Sequence, residues 1–341
     1  MRAPRCRGSG WPGVPVDRRP GAAERLPPAG PERRGLRLRA FLWNLVWEAT
    51  RRVPERVAFA AADLVARAVF RFAQRSRQQV AANLLRALGP ASGPDEVMGL
   101  VHGAFRSYGR YWVEAFRAAD MTPAEVDART TTEGLAHLDA ALERGEGAII
   151  LLAHHGSWDV AARWAETHGY HLAVVAEIVR PRRLFEKFVR LREQIGLEVV
   201  PLHRGEDLAG RLAEALAANH LVGLLSDRDL VGDGLPVRLF GEACHVPHGP
   251  VTLARRTGAP VLPVTLRQQP GRRWHLQVLP AIELADLDVE TAAQRVAAGL
   301  EAIIRTEPAQ WYAFSPVWPA DRHRAVAQPP ALTLPRDVGT S

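Results

Sequence analysis

The stretch AIILLAHHGSWDV, residues 148–160, passes from an unbroken apolar run to two histidines, a glycine, a serine and an aspartate. Residues 148–153 have the pattern of a short strand covered on both faces. Gly156 permits a sharp turn. Ser157 is a residue type that caps helices, and Asp159 falls in the first helical turn, where negative charge is favoured. The reading is therefore strand, turn, helix, the unit from which α/β folds are assembled.

Working outward, runs of strand character recur at 171–177, 197–202, 220–226, 236–240, 259–267 and 275–284. Helical patterns separate most of them, at 157–168, 182–195, 206–219 and 249–257. This alternation predicts an α/β fold with a mixed, largely parallel central sheet flanked by helices. A last helix over 289–305 closes it, with Val289, Ala293, Val296, Leu300 and Ile303 as its buried stripe.

Upstream, the spacing predicts an N-terminal helical segment with no convincing strand. Two helices fill 41–73, the second opened by Pro54, and others cover 77–88, 95–119 and 134–145. Val57, Ala61, Leu64, Val65 and Ala68 fall on one stripe. The first helix, with Phe41, Trp43 and Trp47, is apolar almost all round. It fits either a groove or a membrane interface. The expected organisation is a disordered basic tail over 1–39, one domain over 40–325 (helical to 145, α/β from 146), and a loose Pro-rich tail over 326–341.

The chain has 341 residues and a formal net charge of +7. Residues 1–40 hold ten arginines against Asp17, Glu24 and Glu32, so the tail carries the whole excess and the body is close to neutral. A nucleic-acid binder would need a basic face on the body. The first 36 residues lack a signal-peptide core; they read as an upstream mis-start or as a basic segment touching anionic lipid. No apolar window is long enough to cross a bilayer. Cys6 and Cys244 are the only cysteines, which excludes a disulfide scaffold and suggests a reduced, intracellular setting. Cys244, His245 and His248 lack a fourth partner at a zinc spacing, so no metal is expected.

Ligands of open α/β sheets bind beyond the carboxyl ends of the strands, where His154 stands. Asp159 could fold back to fix its tautomer, and backbone N–H groups near Gly156 and Ser157 could receive a developing oxyanion. There is no Gly-x-Ser-x-Gly elbow, so the histidine would act as base for a substrate hydroxyl, in acyl transfer without a covalent acyl-enzyme. A hydrogen-bonded structural histidine and a plain helix cap fit the same residues. His155 lies on the opposite strand face and is the weaker candidate.

His154-x4-Asp159 resembles the HX4D signature of glycerolipid acyltransferases. The ordered blocks GEGAIILLAHHGSWDVAARW, AEIVRP, FVRLREQIGLEVVPL, LLSDRDL, VRLFGE, VPHGPVTLARRTGAPVLPV and PAQWYAFSPVW resemble the phosphatidylinositol mannoside branch of the lipid A lauroyl acyltransferase family. The resemblance covers about 40–325. It implies acyl-CoA as co-substrate with no cofactor, a phosphoinositide-based glycolipid as acceptor, and a peripheral place on the cytoplasmic face of the cell membrane. It implies His154 as general base, Asp159 as completing the motif, and Asp227 in the position of the family's orienting glutamate. Aspartate is one methylene shorter, so a backbone shift or a water is expected in that contact. Glu177, Arg192, Asp233 and Arg256 are implied as contacts of acyl-CoA or acceptor. The lipid A branch usually has glutamate where Asp159 stands, which favours the mannoside acceptor. A lipid A-type acceptor, an acyl-CoA hydrolase and a non-catalytic lipid carrier are the rival readings.

Overall fold

The computed structural model describes residues 34–324, except 90, 179–181, 203–206 and 230–231. The tails expected over 1–39 and 326–341 lie outside the described residues, save that residues 34–39 begin the first helix.

Helices α1 (Arg34–Arg52), α2 (Glu55–Phe72), α3 (Gln74–Leu88) and α4 (Pro94–Arg117) come first. Then follow α5 (Pro123–Arg129), β1 (Thr130–Glu133), α6 (Leu135–Glu143), β2 (Ala148–Leu152), α7 (Trp158–Thr167), β3 (Leu172–Glu177), α8 (Arg182–Gln194), β4 (Leu197–Leu202), α9 (Leu208–Ala217) and β5 (Leu221–Leu225). The last part holds β6 (Leu235–Leu239), β7 (Glu242–Val246), α10 (Gly249–Thr257), β8 (Val261–Gln269), β9 (Arg273–Val278), α11 (Val289–Thr306) and α12 (Pro319–Arg324). Local chemistry sets several starts. Thr122 and Glu125 form a reciprocal capping box on α5, and Asp207 and Asp288 cap α9 and α11.

Seven strands form one sheet in the order β1-β9-β8-β2-β5-β3-β4, parallel throughout except for the β8–β9 hairpin. The expected mixed, largely parallel α/β sheet with a helical N-terminal segment is what the chain forms. β2 lies at the centre. Its Ile149 and Leu151 are fully buried in one core with α11, and Ala148 and Ile150 face a second core with α7. Two covered faces explain why the strand reads as continuously apolar.

Three expectations need correction. β1 precedes the region expected to hold the first strand. Its sequence, TTTE, carries no apolar residue because it is a short, mostly exposed edge strand, held by parallel pairing to β9. The run at 236–240 does not join the main sheet but pairs with β7 in a separate antiparallel hairpin. The apolar stripe of α2, whose direction the spacing left open, faces outward. Val57, Leu64 and Val65 are 52–70 % exposed, while the small Ala58 and Ala66 are buried. α2 packs on α4 through small residues, Ala62 and Ala66 lying close to Gly109, and through Phe70 against Phe105, which leaves Val57, Leu64, Val65, Val69 and Phe72 on the surface. Val289 is likewise exposed, unlike the other members of its stripe.

Candidate active site

The pairing of β2 with β5 runs Leu152 opposite Leu225, and Ser226 N–H donates to Leu152 O at 2.9 Å. Continued two residues further, that register sets His154 opposite Asp227 at the carboxyl edge of the sheet. The side chains meet there. His154 Nδ1 and Asp227 Oδ1 are 2.7 Å apart, and the His154 backbone N–H donates to the same oxygen at 3.0 Å. The aspartate thus contacts the ring directly, with no room for a bridging water between the two atoms. The pair crosses between neighbouring strands at matched height, so one methylene less suffices.

Asp227 is buried and His154 is half-buried. The other carboxylate oxygen, Oδ2, accepts from the indole Nε1–H of Trp311 at 2.8 Å, and Arg228 Nε lies 4.0 Å away. Burial alone would raise this carboxyl, but the adjacent His154 charge and hydrogen bond, Arg228 and Trp311 outweigh it and hold Asp227 well below the usual carboxylate range. An ionised carboxylate only accepts, so the proton facing it is on Nδ1, and Nε2 is the nitrogen whose lone pair can take a further proton. Among the described residues no hydrogen bond engages Nε2.

The turn is clamped from the far end of the chain. Tyr312 N–H donates to His154 O at 2.8 Å, Gly156 N–H to Gln310 O at 3.0 Å, and His155 bridges to Trp311. This antiparallel overlay delivers the Trp311 indole to Asp227. Gly156 has φ +63, and a Cβ there would meet Leu266 O at 2.1 Å, so only glycine fits. Because Gly156 N–H is committed to Gln310 and Ser157 N–H to Leu266 O at 2.9 Å, neither amide is free to receive an oxyanion, contrary to expectation. Ser157 also does not cap α7 through its side chain. Its hydroxyl donates instead to the buried Glu114, which also accepts from Trp274 Nε1 at 3.0 Å and Arg110 Nε at 2.6 Å.

Asp159 does not turn back to the imidazole. Its two oxygens accept from Tyr111 OH at 2.8 Å and Arg192 Nε at 3.0 Å, tying α7 to α4 and α8. The link between motif and site is indirect. Trp158 packs against Tyr111 with ring centroids 4.1 Å apart and planes tilted by 31°, and meets the His154 ring edge-on at 5.5 Å. Arg192 is therefore an internal ion-pair partner of Asp159.

Of the remaining expected contacts, Glu177 stands exposed at the carboxyl end of β3, beside β5 and on the same edge as His154. Asp233 is exposed, and among the described residues His248 Nε2 lies 3.8 Å from its carboxylate. Arg256 is not brought to the site. It lies in the last turn of α10, exposed, just before Gly258 leads the chain into the start of β8. That is the edge of the sheet opposite His154. The loop 230–236 is described only in part. Cys244 is buried, with His245 O and Val317 O 3.6 Å from its sulfur, and no described group of three or more His, Cys, Asp or Glu side chains is placed to hold a metal ion.

His155 is buried between Thr265 Oγ1 at 2.8 Å and Glu307 O at 2.9 Å, and burial pushes its imidazole down to about 4. It is the structural histidine of the pair. Trp311, Arg228, Tyr111 and Glu114 are the residues that sequence reasoning missed. Trp311 stands inside the block PAQWYAFSPVW, but no spacing links it to position 227.

The sequence model for bacterial lipid A biosynthesis acyltransferases matches residues 29–319. The chain is 39 % identical over 281 residues to a phosphatidylinositol mannoside acyltransferase of Mycobacterium tuberculosis (strain CDC 1551 / Oshkosh), covering 81 % of this chain and 87 % of the relative. It is 37 % identical over 280 residues to the protein of the same name from Mycolicibacterium smegmatis, covering 81 % and 90 %. On this likeness the chain belongs to the bacterial lipid A biosynthesis acyltransferase family and is an acyltransferase.

Proposed function

We propose that this acyltransferase moves a fatty acyl group, palmitoyl-like, from acyl-CoA to a mannose hydroxyl of a phosphatidylinositol mannoside. The observation that carries the reading is the 2.7 Å pair of His154 Nδ1 and Asp227 Oδ1, which leaves a half-buried Nε2 lone pair at the carboxyl edge of the sheet. Nε2 takes the proton of the sugar hydroxyl as that oxygen attacks the thioester carbonyl. Asp227, braced by Trp311, holds the ring and balances its new charge. The C–O bond forms, the C–S bond breaks, and the proton on Nε2 passes to the departing sulfur, giving CoA thiol. No side chain is acylated on the way.

The acceptor is inferred from the mycobacterial relatives, which are named for it. The place of action is the cytoplasmic membrane surface, with the protein peripheral. No described helix is long and apolar enough to cross a membrane. Among the described residues every large exposed hydrophobic side chain except Val289 lies on α1 or α2, Phe41, Leu64 and Phe72 being 63–83 % exposed. A concentration of this kind marks an interaction surface, and an apolar helix face rimmed by arginines suits a bilayer interface.

The test is mass spectrometry of membrane glycolipids after incubation with palmitoyl-CoA. One added palmitoyl group on phosphatidylinositol mannoside is expected from the native chain and none from His154→Ala. Rapid CoA release with no acylated lipid would replace transfer with hydrolysis, and acylation of another glycolipid would change the acceptor.

A further inference from the structure

Beyond the His154 site, the sheet carries a second concave surface. Strands β8, β9 and β1 form the edge of the sheet away from β5, and their register is Arg267 opposite His275, Gln269 opposite Arg273, and Thr131 beside His275. Alternation along a strand therefore puts all five side chains on one face. With Pro270 and Trp274, whose indole turns to the opposite face, they line an open cavity of about 490 Å³.

This cavity is basic and preformed. Arg110 of α4 donates to Gln269 O at 2.7 Å and Arg273 O at 2.9 Å, holding the two strands at its rim. Trp274 is anchored from behind by Glu114. His275 is committed to Thr131 Oγ1 and Glu133. The two guanidinium groups are not neutralised. Arg267 meets only the Gln277 amide oxygen, at a long 3.4 Å, and its Nε is buried without an acceptor. Among the described residues, no carboxylate lies within ion-pair distance of Arg267 or Arg273. A buried donor without an acceptor costs stability, so an anion that reached the Arg267 guanidinium would relieve it.

Its position narrows the anion. Arg272, in the turn between β8 and β9, bonds Glu55, the first residue of α2, at 3.1 Å. The cavity thus sits at the foot of the helix whose outer face is apolar along its length. At a bilayer surface, phosphates lie just outside the acyl region that such a face would enter. A guanidinium pair presents planar donors suited to phosphate oxygens.

We propose that Arg267 and Arg273 form a phosphate-binding site, separate from the His154–Asp227 pair, that takes the phosphodiester of an anionic lipid headgroup. The test compares sedimentation with phosphatidylcholine vesicles and with vesicles containing one part in five phosphatidylinositol, together with calorimetric titration of inorganic phosphate. The variants are Arg267→Gln/Arg273→Gln and, as a charge-matched control on the opposite edge of the sheet, Arg255→Gln/Arg256→Gln. The first variant should lose roughly a tenfold phosphatidylinositol-dependent gain in binding, and the control should keep it. Loss of inorganic phosphate binding with unchanged vesicle binding would keep the site and assign it to a soluble phosphate. Equal behaviour of native chain and Arg267→Gln/Arg273→Gln in both measurements would overturn the proposal, as would an equal loss in the control. His154→Ala should retain the binding, so failure of this site and failure of the transfer chemistry read out separately.

Discussion

Replacing Asp227 by asparagine keeps the shape of the side chain and removes its charge, and the surrounding donors make the outcome calculable. The carboxylate receives three: His154 Nδ1 at 2.7 Å and His154 N at 3.0 Å on Oδ1, and Trp311 Nε1 at 2.8 Å on Oδ2. An amide has one accepting end. If its oxygen stays on His154, its NH₂ faces the Trp311 N–H, donor against donor. If it flips, its NH₂ donates to Nδ1, moves the ring proton to Nε2 and removes the base. Each orientation leaves at least one buried donor unsatisfied, at about 1–3 kcal/mol. Loss of the balancing charge adds to this, and the expected fall in kcat is about 10²–10⁴-fold with the general-base contribution gone. A second change separates the two effects. Asp227→Asn/Trp311→Phe relieves the donor clash in the unflipped orientation, so it should be more stable than Asp227→Asn alone and regain part, but not all, of the lost turnover. The assay is CoA thiol release from palmitoyl-CoA with lipid acylation followed by mass, alongside thermal unfolding. Asp227→Asn within threefold of native kcat, with an unchanged Tm, would refute the reasoning.

Other expectations follow from the same geometry. Asp159→Asn leaves the mostly buried Arg192 without its counter-charge and should cost about 3 kcal/mol of stability, seen in denaturant midpoints, while the folded fraction keeps more activity than Asp227→Asn does; the reverse order would move the orienting role to Asp159. His155 titrates at about 4 in the folded chain and near 6.5 unfolded, so its stability contribution is intact above about pH 6.5, is lost as pH falls, and is gone near pH 4, a difference of about 3 kcal/mol. Denaturant midpoints against pH should show that slope in the native chain and not in His155→Gln. Leu64→Glu/Phe72→Glu puts two charges on the exposed apolar face of α2 and should abolish flotation with vesicles while leaving Tm within a degree or two, because neither side chain is in the core; unchanged flotation would remove that face from the account of membrane binding.

The sequence by itself determined the α/β class, the central strand and the candidate base. Those signals are local: a strand covered on both faces must be continuously apolar, and a turn into a helix needs glycine and polar residues at fixed offsets. His154 was legible because it ends such a strand, whereas Asp227 was singled out by the family resemblance of the block LLSDRDL. Only the tertiary structure decided how the carboxylates divide. His154 and Asp159 are five residues apart, yet Asp159 points to Tyr111 and Arg192, whereas Asp227 reaches the ring because the β2–β5 register sets the two strand ends level. Trp311 arrives from a segment more than 150 residues beyond His154, and no periodicity encodes that overlay. The stripe on α2 was visible as amphipathic, but its direction was not. Periodicity shows that a helix has two faces; which one meets the protein depends on close approach, and here small residues against Gly109 of α4 claimed the inner side and left the large apolar ones outside.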